Sequence, residues 1–292
     1  NLSKFKIAVG HDLMGNFINS FLFKEDPLFN AYVCISPDLS GTVRDYLGER
    51  LEFFKDDIFY YMATSDKDLP YIREAVLNAN EQISAVNNQF LTYYFDDFDN
   101  DTHYTLVNSA IARSFDKIFE LYKPLREKEL EEKVLPYEGT LDDYLVERYD
   151  RIEELFGITK PITEEEFEKI RKAAEQREDL ESLEAIGKLA KKLYPESVLG
   201  SHYLAMHAEK TEDTKKAIKY YEDALELEET PLITIDYITS KLEELNGTIE
   251  LMELEKEIEK EERKLAKQKE KEEKEAAKEA EKAEKEKKAK ED

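Results

Sequence analysis

The chain has 292 residues, with 43 Lys and Arg against 68 Asp and Glu, a formal net charge of −25 and 41% hydrophobic residues. That length has room for two domains, and the acidity excludes nucleic acid and anionic membrane as partners, because their phosphates would be repelled. No run of about 18 apolar residues exists, so no membrane span is expected, and the single cysteine, Cys34, excludes an intrachain disulfide and a thiolate metal site.

Residues 5–9 read as a short buried strand ended by Gly10. A helix follows from Leu13 to about Lys24, with Phe17, Ile18, Phe21 and Leu22 at helical spacing and Pro27 barring its continuation. A second buried strand, 30–37, closes on Ser36-Pro37, and 43–54 reads as a helix. The third strand, 57–63, runs into a polar turn, 64–68. A helix from Leu69 to about Asn88 and a fourth strand, 91–95, come next, then an acidic loop, 96–101. His103 precedes a helix from about 106 to 122. Strands alternating with helices argue a parallel sheet covered on both faces, and in such sheets function collects beyond the strands' C-terminal ends. Asp12, Ser36 and Asp38, Asp66 and Asp68, and His103 all fall there. The chain opens on Asn1 almost directly into a strand, which reads as an incomplete N-terminus with material upstream.

After Pro124 helical periodicity dominates. A helix over 141–156 carries Leu145, Tyr149, Ile152 and Phe156 on one face. Thr163 and Glu166 form a capping-box pair at the start of the next helix, and further helices are expected at about 164–175, 179–193, 197–209, 213–228 and 232–246. Leu204, Ala208, Ala217, Tyr221 and Ala224 are matched 34 residues earlier by Ile170, Ala174, Leu183, Gly187 and Ala190, a spacing that resembles tetratricopeptide hairpins; a generic helical bundle stays open. Beyond Ile249 the apolar residues thin to Leu251, Leu254, Ile258 and Leu265, enough for two heptads of coiled-coil seam. From Glu253 on there are 14 basic and 16 acidic residues, so the body before it holds 29 against 52. This tail reads as a solvated single helix or a disordered segment. The expected domains are therefore 1–124, 125–248 and 249–292.

The stretch with the most chemical content is Gly10-His11-Asp12-Leu13-Met14-Gly15, a strand–turn–helix. It has the outline of the G-x-S-x-G nucleophile elbow, with Asp12 where a Ser would stand. A Ser hydrolase on such a fold orders its triad nucleophile, acid, His, and here Asp12 is followed by Asp66 or Asp68 and then His103. Residues 5 to about 122 resemble the second half of an α/β-hydrolase of the esterase family that contains siderophore esterases and S-formylglutathione hydrolase. The elbow is similar to that family's G-H-S-x-G-G, the strand Asn30-Ala31-Tyr32-Val33-Cys34-Ile35-Ser36-Pro37 to its F-x-A-Y-I-A-I-S-P, and His103-Tyr104 falls where its catalytic His falls. The resemblance implies a partial α/β-hydrolase followed by a helical extension of the kind seen in some Bacteroidetes proteins. It points to the cell envelope, with the cytoplasm left open.

The departures are Asp12 and Met14. A carboxylate is a poor acyl acceptor, since attack on an ester would give a mixed anhydride, and Met14 replaces a Gly expected to let the turn close. The leading expectation is a degenerate hydrolase serving as a binding or scaffold module. The alternative is an active hydrolase using Asp12 and His103, as a carboxylate nucleophile or to assist water. An aspartate elbow resembles that of haloalkane dehalogenases and epoxide hydrolases, although the chain has no Trp to hold a halide through its indole N–H. Partners would be a small-molecule ester, or a protein through the helical repeats. No cofactor or metal is expected: His202 and His207 are not at i,i+4, and residues 96–101 lack the Gly and terminal Glu of a calcium loop.

Overall fold

The computed structural model describes residues 3–291; Asn1, Leu2 and Asp292, which fall within the expected ranges 1–124 and 249–292, lie outside the described residues. Two compact units are present, Asn1–Gly139 with Asp143–Lys169, and Thr140–Asp142 with Ile170–Asp292.

The first unit is an α/β layer structure. Four strands, β1 (Ile7–Asp12), β2 (Ala31–Pro37), β3 (Ile58–Lys67) and β4 (Leu91–Thr102), form one parallel sheet in the order β1-β2-β3-β4. The helices α1 (Leu13–Asn19), α2 (Gly41–Glu52) and α3 (Pro70–Ser84) make the three crossovers. Sequential neighbours joined by crossovers of one hand place all three on one face. There they cover Tyr32, Cys34, Tyr60 and Met62, with Val43, Leu47, Leu51, Ile72, Val76 and Ile83 facing in. The alternate residues Ala31, Val33, Ile35, Phe59 and Tyr61 point to the other face, under α4 (Leu106–Ile118). This period-2 split of apolar residues on both faces is why β2 and β3 are continuous apolar runs. Val9, on the outer strand β1, is 43% exposed.

Two boundaries differ from the sequence expectation for physical reasons. Residues 64–68 and 96–101, expected as turn and solvated loop, belong largely to extended strands, because Thr64 and Ser65 pair with Asp97 and Phe98 beyond the core. The acidic side chains find partners there: Tyr61 Oη donates to Asp96 at 2.9 Å, and Arg73 clasps Asp97 through two bonds of 2.6 and 2.8 Å. Helix α1 ends at Asn19 rather than near Lys24. The Asn19 side chain donates to the Gly15 carbonyl at 2.9 Å, and the backbone passes into successive tight turns.

After a short turn of helix, α5 (Glu127–Glu129), and a wide π-type turn, Leu130–Val134, the chain enters α6 (Leu141–Phe156). Phe156 meets Phe5 at 4.9 Å and Phe119 at 5.3 Å between ring centroids, inside the first unit. The Thr163–Glu166 capping box forms in both directions at the start of α7 (Glu164–Gln176).

The second unit is helical: the end of α7, then α8 (Leu180–Leu193), α9 (Val198–Lys210), α10 (Thr214–Ala224) and α11 (Ile235–Glu291). The helix expected at 232–246 and the charged tail form this one continuous helix, on which Leu251, Leu254, Ile258 and Leu265 are exposed. Two of the unit's inter-helix turns, α7 to α8 and α9 to α10, repeat each other at a 34-residue offset. Glu178 and Glu212 take positive φ (54° and 60°), the next N–H groups, of Asp179 and Asp213, return to Ala174 and Ala208, and each Asp then caps the following helix through Ser182 N or Lys216 N. That is a helix stop followed at once by an N-cap. Among the described residues, no helix is long and apolar enough to cross a membrane.

Candidate active site

The site is built where the sheet's strands end. At the tip of β1 the register slips, so that Asp12 stands opposite Pro37, and the Asp38 N–H donates to the Asp12 carbonyl at 3.1 Å. Asp12 has φ 56° and ψ −125°, a conformation a non-glycine residue adopts at a cost of about 1–3 kcal/mol. The turn closes so tightly that a Cβ on Gly10 would lie 2.4 Å from the Met14 carbonyl oxygen, and one on Gly15 would lie 2.8 Å from Pro37 Cβ. Glycine is thus required at 10 and 15. Met14 is 57% exposed and hangs outside the turn, which corrects the expectation that its side chain would obstruct closure. The elbow lifts the Asp12 carboxylate to 38% exposure, and its side chain makes no capping hydrogen bond to α1.

His103 follows β4 and is 4% exposed. Its Nε2 lies 3.8 Å from Asp12 Oδ2, and its Nδ1 lies 2.7 Å from Asp68 Oδ1. The Asp68 carboxylate is buried and every side of it is used: Ser36 Oγ and Thr64 Oγ1 donate to Oδ2 at 2.6 and 2.8 Å, and the Leu69 N–H donates to Oδ1 at 2.7 Å. Burial pushes this carboxyl up, but the bonds from Ser36, His103, Thr64 and Leu69 outweigh it and hold Asp68 below the ordinary carboxylate value. His11, the residue inside the elbow, bonds the His103 carbonyl through Nε2 at 2.9 Å and lies 4.4 Å from the His103 ring. Its pKa is lowered, first by burial and then by His103.

The structure therefore gathers Asp12, His103 and Asp68. Asp66 is elsewhere: its carboxylate accepts from the Asn100 N–H at 2.6 Å and ties β3 to β4. Sequence reasoning left the choice between Asp66 and Asp68 open. Regular strand alternation would put these two residues on one face; the register shift between Ser65 and Lys67, at the end of β3, separates them, and it leaves no local sequence signal. Thr64 was not singled out, and Ser36 only as a strand-end polar residue. Among the described residues, no group of three or more His, Cys, Asp and Glu could hold a metal ion.

No protein-family model matches the chain, and no curated protein matches it. Among solved structures, the chain is similar to an uncharacterised protein from Capnocytophaga ochracea DSM 7271, at 25% identity and a TM-score of 0.72, over 84% of this chain and 69% of that one. It is also similar to an IroE-like serine hydrolase from Shewanella oneidensis (18% identity, TM-score 0.40, 64% of this chain and 58% of that one). A third likeness is to the BES protein from Bacillus cereus (19% identity, TM-score 0.35, 38% of this chain and 44% of that one). The chain spans less than two thirds of the length of these last two. The likeness to the serine hydrolase and to the BES protein is distant and partial.

Proposed function

We propose that the first unit is a hydrolase-type domain in which Asp12 attacks an electrophilic carbon of a small molecule. The observation that carries this reading is the pairing of a strained, projecting Asp12 with His103 Nε2 at 3.8 Å, the far side of that ring being held by a buried carboxylate. The backbone strain costs stability directly, and burying Asp68 carries a desolvation penalty that needs four hydrogen bonds to offset it. A module that only binds through other surfaces needs neither.

The chemistry follows from the groups. An Asp12 oxygen forms a bond to an sp³ carbon as the carbon–leaving-group bond breaks, and the leaving group departs with the electron pair. Water then gives a proton to His103 Nε2 and attacks the Asp12 carbonyl carbon. The alcohol is released, the carboxylate is regenerated, and the His103 proton neutralises the departing oxyanion. Attack on an acyl carbon would give an anhydride, so simple carboxylic esters are poor substrates. Electrophiles of the strained-ether or alkyl type fit instead.

The test uses probes rather than a known substrate. His103→Gln is incubated with styrene oxide or 1-bromohexane, and the peptide holding Asp12 is examined by mass spectrometry for the alkyl adduct. Turnover by the native protein in ¹⁸O-water should place label in Asp12. Absence of both adduct and label with such probes, together with ordinary hydrolysis of p-nitrophenyl acetate, would falsify the aspartate-nucleophile reading.

A second reading is supported by the 34-residue repetition of the Glu178-Asp179 and Glu212-Asp213 turns. Stacked helical hairpins of this period are built like tetratricopeptide modules. On this reading the chain is a scaffold with a degenerate hydrolase domain, and neither probe reacts at Asp12.

A further inference from the structure

Ser36 has no part in the steps above, yet it touches both members of the Asp68–His103 pair. It is fully buried, so no substrate reaches it, and it sits on the Nδ1 side of His103, away from Asp12. Its one hydroxyl proton goes to Asp68 Oδ2 at 2.6 Å. Towards His103 Nδ1, 2.9 Å away, the same oxygen can then only accept. Nδ1 thus faces two acceptors, Ser36 Oγ and Asp68 Oδ1, and a ring nitrogen facing two acceptors carries the hydrogen. The neutral ring then presents its lone pair at Nε2, the atom nearest Asp12. The backbone is bent to make this possible: Ser36 has φ 43°, at the point where β2 leaves its regular alternation.

We infer that Ser36 is a positioning residue, whose hydroxyl locks neutral His103 in the Nδ1–H tautomer and keeps Nε2 free to act as the base. The inference rests on the hydrolytic reading for its purpose, but its test needs no substrate. In the intact chain labelled with ¹⁵N-histidine, the His103 ring is assigned by comparison with His103→Gln, and water exchange of Nδ1–H is measured above the histidine titration range.

The native protein should show a protonated Nδ1. Ser36→Gly, which suits the positive φ, should exchange Nδ1–H about tenfold faster, the loss expected for one hydrogen bond in a charged pair, and should show a measurable Nε2–H fraction. Ser36→Ala should behave alike, which guards against a folding defect in either variant. Thr64→Val removes another donor to the same Asp68 oxygen, at 2.8 Å, and should leave Nδ1–H exchange as in the native protein. Native exchange in both Ser36 variants overturns the inference. So does a Thr64→Val effect equal to that of Ser36→Gly, since the charge of Asp68 alone would then set the tautomer. A missing Asp12 adduct would count against hydrolysis and leave these spectra unchanged.

Discussion

Both units hold non-glycine residues at positive φ, and the use differs. In the helical unit, Glu178 and Glu212 end α7 and α9 and hand the chain to a capping Asp; the side chain at such a position is incidental, and Gly would serve as well. In the α/β unit, Asp12 and Ser36 take positive φ while their side chains engage His103 and Asp68. Strain that only turns the chain is dispensable. Strain that aims side chains at the His103–Asp68 pair points to a site, whereas the side chain of Asn100, also at positive φ, only accepts from the exposed Lys67 at 2.9 Å.

The sharpest way to break this comparison is to relieve strain in both places. Asp12→Gly should lower turnover of a reactive probe by about a thousandfold or more, within the range for losing an essential catalytic group, while raising stability to denaturant by about 1 kcal/mol. Glu178→Gly should give a similar or smaller stabilisation with turnover unchanged. Equal activity in the two variants would dissolve the distinction.

Close backbone approach is the next contrast. A Cβ at Gly10 would meet the Met14 backbone at 2.4 Å, and one at Gly200 the Lys191 backbone at 2.4 Å, so neither neighbour can swing aside. Gly10→Ala and Gly200→Ala should each cost about 1–3 kcal/mol in urea unfolding, and only Gly10→Ala should also impair the Asp12 adduct. Smaller again are the caps: Asp179→Ala and Asp213→Ala should each cost about 1 kcal/mol. Asp179 should cost more, since it also accepts from Ser182 Oγ at 2.7 Å.

The pH dependence comes from His11, whose pKa is lowered in the fold by burial and by His103. The unfolded chain binds this proton first, so the stability it contributes is complete above about pH 6.5 and is lost as pH falls through the lower folded value. His207 in the helical unit is lowered too, first by burial. Unfolding midpoints should fall between pH 7.5 and 5, less steeply for His11→Gln in the α/β unit and for His207→Gln in the helical unit. The smallest effect belongs to Met14→Ala: with its side chain outside the turn, stability and adduct formation should stay within about 0.5 kcal/mol of native.

Much of the α/β unit could be read from the chain. Residues 31–37 and 58–63 are short apolar runs that only a sheet buried on both faces accommodates, and Gly10, Asp12 and Gly15 mark a turn whose spacing is local. Local chemistry also sufficed for the Thr163–Glu166 cap, because both partners lie within one helical turn. The extension of β4 through its acidic residues could not be read locally, since composition alone argues for a loop; pairing with β3 and partners such as Arg73 and Tyr61 decided it. The continuity of α11 through Gly247 also ran against its composition.

The candidate site divides in the same way. Asp12 and His103 stand out by themselves, because each follows a strand and carries a rare side chain in that place. Which acid faces His103, and that Ser36 joins them, are matters of contact among β2, the end of β3 and the segment after β4, between residues 32 to 67 apart in the chain, while Thr64 lies only four residues from Asp68. A sequence states which polar groups stand at strand ends. Only the packed sheet decides which lone pairs and protons meet, because hydrogen bonds depend on direction and on a few tenths of an ångström.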